Sequence, residues 1–131
     1  MSKKLQSQDN QRTDGPELVL ARELLAVPSI TPNDRGVQSI LINRLGALGF
    51  SVTKVPFQGR DNFYAEWGTS GPRVVFSGHT DVVEPGDEAA WRCPPFAPTV
   101  IEGKLYGRGA VDMKGAIACM VVAAEEFLEK V

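Results

Sequence analysis

A chain of 131 residues has room for one core, since a domain takes about 150 residues. Its 43% hydrophobic and 23% charged content matches ordinary folded domains and excludes a wholly disordered or collagen-like polypeptide. Fourteen Lys and Arg against sixteen Asp and Glu leave a net charge of −2, with no basic excess to draw the chain to nucleic acid or a membrane, so a small-molecule partner is expected instead.

Residues 1–14 are polar and unpatterned, which predicts a disordered N-terminal tail with too little apolar surface to offset the cost of ordering. Their basic residues have no apolar segment behind them, so no secretory signal is read and the expected compartment is the cytoplasm. Leu18, Ala21, Leu24 and Leu25 recur at helical spacing between Pro16 and Pro28, predicting a first helix over 17–27. Val37, Ile40, Leu41, Leu45 and Leu48 predict a second, closed by Gly49. The segments 50–57, 62–68 and 73–79 are rich in β-branched and aromatic residues and predict three strands. The run Val74, Val75, Phe76 places the third centrally in an α/β sheet, covered by helices on both faces.

Residues 80–98 form a loop long enough to border a functional cleft, and TVIEGKLYG (99–107) predicts two short strands about Glu102 and Gly103. Cys93 and Cys119 belong to no CxxC and are expected to be reduced bystanders. A final helix carries Met113, Ile117, Met120, Val121, Ala124, Phe127, Leu128 and Val131 on one stripe. Its longest mostly apolar run, 116–124, falls short of the ~20 residues that cross a bilayer. The stripe reaches Val131 without a cap, from which a polypeptide cut short is expected.

Three residues stand out for chemistry. The single histidine, His79, ends the third predicted strand, and Asp81 two positions on shares its face, at the sheet edge where α/β proteins hold ligands. Asp81 can take the Nδ1 proton of His79 and direct Nε2 at a metal. A histidine hydrogen-bonded at a strand end, with a turn aspartate behind it, fits the same two residues. Asp112 reads either as the cap of the last helix or as a metal-bridging carboxylate held by a constrained turn, since Gly107, Gly109 and Gly115 surround it. The order GRGAVD puts Asp112 where a dinucleotide fingerprint needs glycine, which excludes that motif, and no GxSxG elbow is present. Glu125 and Glu126 are expected to form a solvated helix face.

SGHTDVV (77–83) followed by GRGAVDMKG (107–115) resembles the co-catalytic di-zinc amidase and exopeptidase family that includes aminoacylases and acetylornithine deacetylase. LLAVPSITPND (24–34) fits the same family's opening, and residues 82–98 are most similar to a member serving bacterial lysine and cell-wall precursor synthesis, so the resemblance covers about 16–131. It implies an α/β fold, the N-terminal part of a di-zinc exopeptidase-like catalytic domain over 15–131, with helices packed on a mixed β-sheet. It also implies metal ligands His79 and Asp112, the latter bridging two ions, a catalytic Asp81 tuning His79, and a cis peptide from Asp112 to Met113. The implied cofactors are two divalent ions, zinc first and cobalt or manganese as alternatives, and the implied activity is amide hydrolysis by a homodimer when full length. The family's general base, remaining ligands and dimerisation domain have no counterpart in 1–131, and a catalytic zinc takes three protein ligands, so this piece is expected to be inactive alone. Two rivals remain: a related deacylase or dipeptidase, and a short binding or scaffolding domain without catalysis.

Overall fold

Helix α1 (Pro16–Leu25) starts at a proline whose locked φ and missing N–H suit a first turn, and carries Glu17 near its N-terminus and Arg22 near its C-terminus, each complementing the helix dipole. The computed structural model describes residues 14–131. Of the expected tail only Asp14 falls among them, accepting from Arg22 in an exposed ion pair; residues 1–13 lie outside the described residues. The buried face of α1 is Leu20, Ala21, Leu24 and Leu25, with Leu18 only partly covered. Helix α2 (Val37–Ala47) follows Asp34, whose carboxylate accepts from the Gly36 and Gln38 amides at 3.0 and 3.3 Å. It stops at Leu48 and Gly49, and Gly49 takes the left-handed φ of +90° that ends many helices.

Strands β1 (Ser51–Lys54) and β2 (Phe63–Glu66) pair antiparallel, with Ser51 opposite Glu66 and Lys54 opposite Phe63. Strands β3 (Thr99–Ile101) and β4 (Lys104–Tyr106) form a two-residue hairpin at Glu102 and Gly103, both with positive φ as the tight turn requires. Parallel pairing among the described residues is limited to a one-residue bridge between Ile30 and Val82. The chain is thus α/β, with helices gathered over small sheets.

The expectation that 73–79 forms a covered central strand is corrected. This segment pairs with no strand among the described residues, and Val74, Val75 and Phe76 are 86%, 70% and 60% exposed. A central strand needs a neighbour on each edge and a layer on each face, whereas β1 pairs with β2 and β3 with β4, and among the described residues 73–79 makes polar contact with β2 only through the Arg73 side chain on Tyr64 and Glu66. The loop over 80–98 holds one helical turn, Glu88–Ala90, capped by Asp87.

Helix α3 (Gly115–Leu128) packs on α1 through Ile117, Ala118, Val121 and Val122. Its buried stripe is therefore shorter than the one expected: Phe127 is 59% and Val131 73% exposed, because nothing among the described residues covers the last turn. Leu20, Ala21, Leu24, Val37, Leu41 and the four α3 residues form the core, flanked by Phe63 of β2 and Leu105 of β4. Each fully buried leucine contributes about 1.5–3 kcal/mol. Glu125 is not on a solvated face; it accepts from Arg44 of α2 at 2.5 and 2.9 Å in a two-pronged, partly buried pair, while Glu126 is exposed. No described helix is long and apolar enough to cross a membrane.

Candidate metal centre

The turn ahead of α3 is a five-residue loop, Ala110–Lys114, closed by the Lys114 amide donating to the Gly109 carbonyl at 2.9 Å. Two glycines make it possible. Gly109 has φ +89°, and a Cβ there would stand 2.8 Å from Val82 Cγ1. A Cβ on Gly115 would stand 2.3 Å from the Ala110 carbonyl oxygen, closer than such atoms can approach. Inside the loop Asp112 and Met113 leave helical geometry, and the peptide between them is cis. As a result Asp112 does not cap α3; its carboxylate turns to His79 instead.

Lys114 anchors this turn from below. Its side chain is fully buried, and Nζ donates to the carbonyls of Leu24 at 2.9 Å and Val27 at 2.8 Å at the end of α1, where each carbonyl also accepts one main-chain amide, from Val27 and Ser29 respectively. Burial lowers its pKa to about 8.

His79 reaches the same point from the other side. Its amide donates to Met113 Sδ at 3.5 Å, and Gly78 lies against the Met113 and Ile117 side chains, so the end of the 73–79 segment rests on the start of α3. The ring nitrogens face opposite partners. Nε2 is 2.9 Å from Asp112 Oδ1; Nδ1 is 3.0 Å from the Asp81 carbonyl oxygen and 3.3 Å from Asp81 Oδ1. The structure therefore brings His79, Asp81 and Asp112 together, with the Asp81 main chain sharing a role expected of its carboxylate alone. The imidazole pKa is raised: the Asp81 carbonyl favours the charged ring, partial burial opposes it, and the Asp112 carboxylate adds to the increase. Asp81 is held below the ordinary carboxylate range, chiefly by a hydrogen bond from the Thr31 hydroxyl.

The three side chains open on a cavity of about 310 Å³, a size suited to a small molecule, which Thr31, Trp91 and Arg108 also line. Arg108 stacks over Trp91 at 5.0 Å, and Trp91 Nε1 donates to the Pro85 carbonyl at 3.0 Å, so the 80–98 loop does border the cleft. Two contributors carried no sequence-level signal as site residues. Thr31 lies 50 positions from Asp81, and Lys114 could have been noticed only as a lysine at the start of an apolar helix.

An imidazole nitrogen and a carboxylate oxygen are zinc donors, and the Asp112 side chain is 83% exposed, so its carboxylate can swing off its direct contact with Nε2 for both to face an ion. The donor types fit a divalent metal. The donor count, His79 and Asp112, falls short of the three protein ligands of a catalytic zinc, and no group of three His, Cys, Asp or Glu placed to hold a metal ion is found among the described residues.

Comparison with known proteins points the same way. Residues 75–131 match the family model described as peptidase family M20/M25/M40. Two curated proteins named succinyl-diaminopimelate desuccinylase, from Coxiella burnetii strains Dugway 5J108-111 and RSA 331 / Henzerling II, are each 53% identical over 113 residues, 86% of this chain. The chain spans 30% of their length. Among solved structures, an M20 family metallo-carboxypeptidase, Sso-CP2 from Sulfolobus solfataricus, superposes with a TM-score of 0.80 at 26% identity, over 88% of this chain and 28% of its own. Human carnosine dipeptidase 1 superposes with a TM-score of 0.77 at 27% identity, over 86% of this chain and 28% of its own.

Proposed function

The chain carries the peptidase family M20/M25/M40 pattern over residues 75–131, and from that premise we propose that it forms one half of a two-metal amide-hydrolysing centre. His79 through Nε2 and Asp112 through its carboxylate would hold the metal, with zinc the ion of choice and cobalt or manganese able to replace it. The observation that carries this reading is the 2.9 Å approach of His79 Nε2 to Asp112 Oδ1 at the mouth of the cavity.

When bound, such ions polarise an amide carbonyl and acidify a water molecule towards neutral pH. The chain's own residues prepare the place. The Asp81 carbonyl accepts the Nδ1 proton of His79 with the Asp81 carboxylate close by, which orients the ring and leaves Nε2, hydrogen-bonded to Asp112, as the nitrogen that would exchange its proton for an ion. With one oxygen on Thr31 and the other near Nδ1, Asp81 is committed to orientation and does not shuttle the proton of the attacking water. That proton carrier and the remaining ligands are proposed to come from polypeptide outside 1–131, so this chain alone turns nothing over.

For the longer protein, the proposed reaction is hydrolysis of N-succinyl-LL-2,6-diaminopimelate to succinate and LL-2,6-diaminopimelate, supported by the two relatives at 53% identity. A second reading, cleavage of a dipeptide or another acyl-amine, is favoured by the likeness to carnosine dipeptidase 1. Zinc titration of this chain tests the metal centre: His79→Ala and Asp112→Asn are each expected to abolish binding, and unchanged binding in both would overturn it. Reading the gene past Val131 and assaying the encoded protein on succinylated, acetylated and dipeptide substrates decides the reaction. Release of amine from an acetylated or dipeptide substrate, with none from the succinylated one, would replace the first reading with the second.

A further inference from the structure

We infer that Thr31 is a positioning residue for the metal centre, acting through Asp81 to set the orientation of the His79 ring. The inference deepens the metal-binding reading and rests on it for the role of Nε2. The Thr31 hydroxyl donates to Asp81 Oδ2 at 2.5 Å, and the other oxygen of that carboxylate, Oδ1, is the one 3.3 Å from His79 Nδ1. An aspartate carboxylate otherwise rotates over a broad torsional well, so fixing one oxygen decides where the second points. Thr31 is suited to this because a β-branched side chain has few rotamers. Its alternative acceptor, the Val82 carbonyl, is 3.4 Å away and uncharged, so the carboxylate takes the proton.

The hydroxyl is itself held in place. The Thr31 amide donates to the Val82 carbonyl at 3.0 Å, the Val82 amide donates to the Ser29 carbonyl at 2.9 Å, and the hydroxyl of the fully buried Ser29 donates to the Thr80 carbonyl at 2.7 Å. Ser29 and Thr31 thus grip Thr80, Asp81 and Val82, the three residues that follow His79. This grip continues from the end of α1, the stretch to which Lys114 ties the Asp112 turn. One length of chain, 24–31, therefore braces both halves of the site.

The test uses the ring nitrogens of His79, which is the only histidine, so its two nitrogen resonances need no assignment. Long-range proton–nitrogen correlation on the metal-free 131-residue chain, well above the imidazole titration, reads the ratio of the Nδ1–H to the Nε2–H tautomer. Thr31→Val is expected to lower that ratio about threefold, the worth of one ordinary hydrogen bond, and Thr31→Ser to restore it. Zinc affinity, titrated with zinc alone, should fall about tenfold in Thr31→Val and recover in Thr31→Ser. Thr31 is exposed, so the substitution leaves the core intact; Thr31→Ala, checked by the backbone amide spectrum, gives the same decision should valine disturb the fold. A wild-type tautomer ratio in both Thr31→Val and Thr31→Ala, or a serine variant that behaves like valine, would overturn the positioning role. A wild-type chain that binds no zinc would sink the metal reading instead, while the tautomer comparison would still decide what Thr31 does.

Discussion

The buried ammonium of Lys114 donates to the main-chain carbonyl of Val27 at 2.8 Å, fastening the start of α3 to the end of α1 only two residues beyond Asp112. With the second bond to Leu24, this is the one long-range polar tie of the Asp112 turn other than His79 among the described residues. Lys114→Met keeps the apolar stem but removes two bonds from a charged donor, leaving the Leu24 carbonyl with only the Val27 amide and the Val27 carbonyl with only the Ser29 amide, and should cost ~1–3 kcal/mol. Denaturant melts of the metal-free chain check this, and a midpoint equal to wild type would count against the anchor.

The raised pKa of His79 has a defined sign. A group whose folded pKa lies above its unfolded value of about 6.5 stabilises the fold fully below that value, and the contribution fades as pH rises through the folded pKa. The metal-free chain should therefore lose a small stabilisation between slightly acid and slightly alkaline pH. Zinc affinity should move the opposite way and strengthen with rising pH, since the ion competes with the proton for Nε2. Following the ring resonances with pH, Asp112→Asn should lower the pKa. Asp81→Asn should change it less than removal of the whole Asp81 interaction would, because the carbonyl that contributes most is main chain and survives the substitution. A wild-type imidazole titrating below 6.5 would contradict the arrangement.

Gly115 sets two effects against each other. In an ordinary helix Gly→Ala stabilises by ~1 kcal/mol. Here the added Cβ would meet the Ala110 carbonyl oxygen at 2.3 Å, and overpacking against an unyielding backbone costs ~1–3 kcal/mol or more. Gly115→Ala should therefore destabilise the chain and weaken zinc binding by opening the Asp112 turn. A thermal midpoint above wild type would show that the loop can relax.

Two ion pairs should separate cleanly. The Arg44–Glu125 pair joins α2 to α3 through two bonds and is partly buried, so Arg44→Leu should cost about 1 kcal/mol, a loss that persists at high salt, and Arg44→Lys should not restore it fully. The Asp14–Arg22 pair is exposed, and Asp14→Asn should change stability by less than the error of a melt.

Much of this molecule is readable along the chain. Leucine spacing marks α1 and α2 to within two residues, Gly49 marks a stop, and Glu102-Gly103 marks a tight hairpin, because helical burial and positive φ are decided by a residue and its near neighbours. The glycines about Asp112 signal a constrained turn for the same reason, although the choice between helix cap and His79 partner waited on the fold. What tertiary structure alone decided lies between distant residues. Thr31 meets Asp81 across 50 positions, Glu125 meets Arg44 across 81, and Lys114 meets Leu24 across 90. Among the described residues it also left Val74 to Phe76 without a sheet, since an apolar run states a readiness to be covered and cannot state whether another segment arrives to cover it. Local pattern determined the elements; hydrogen-bond partners and burial depended on which surfaces packing brought within about 3 Å of each other.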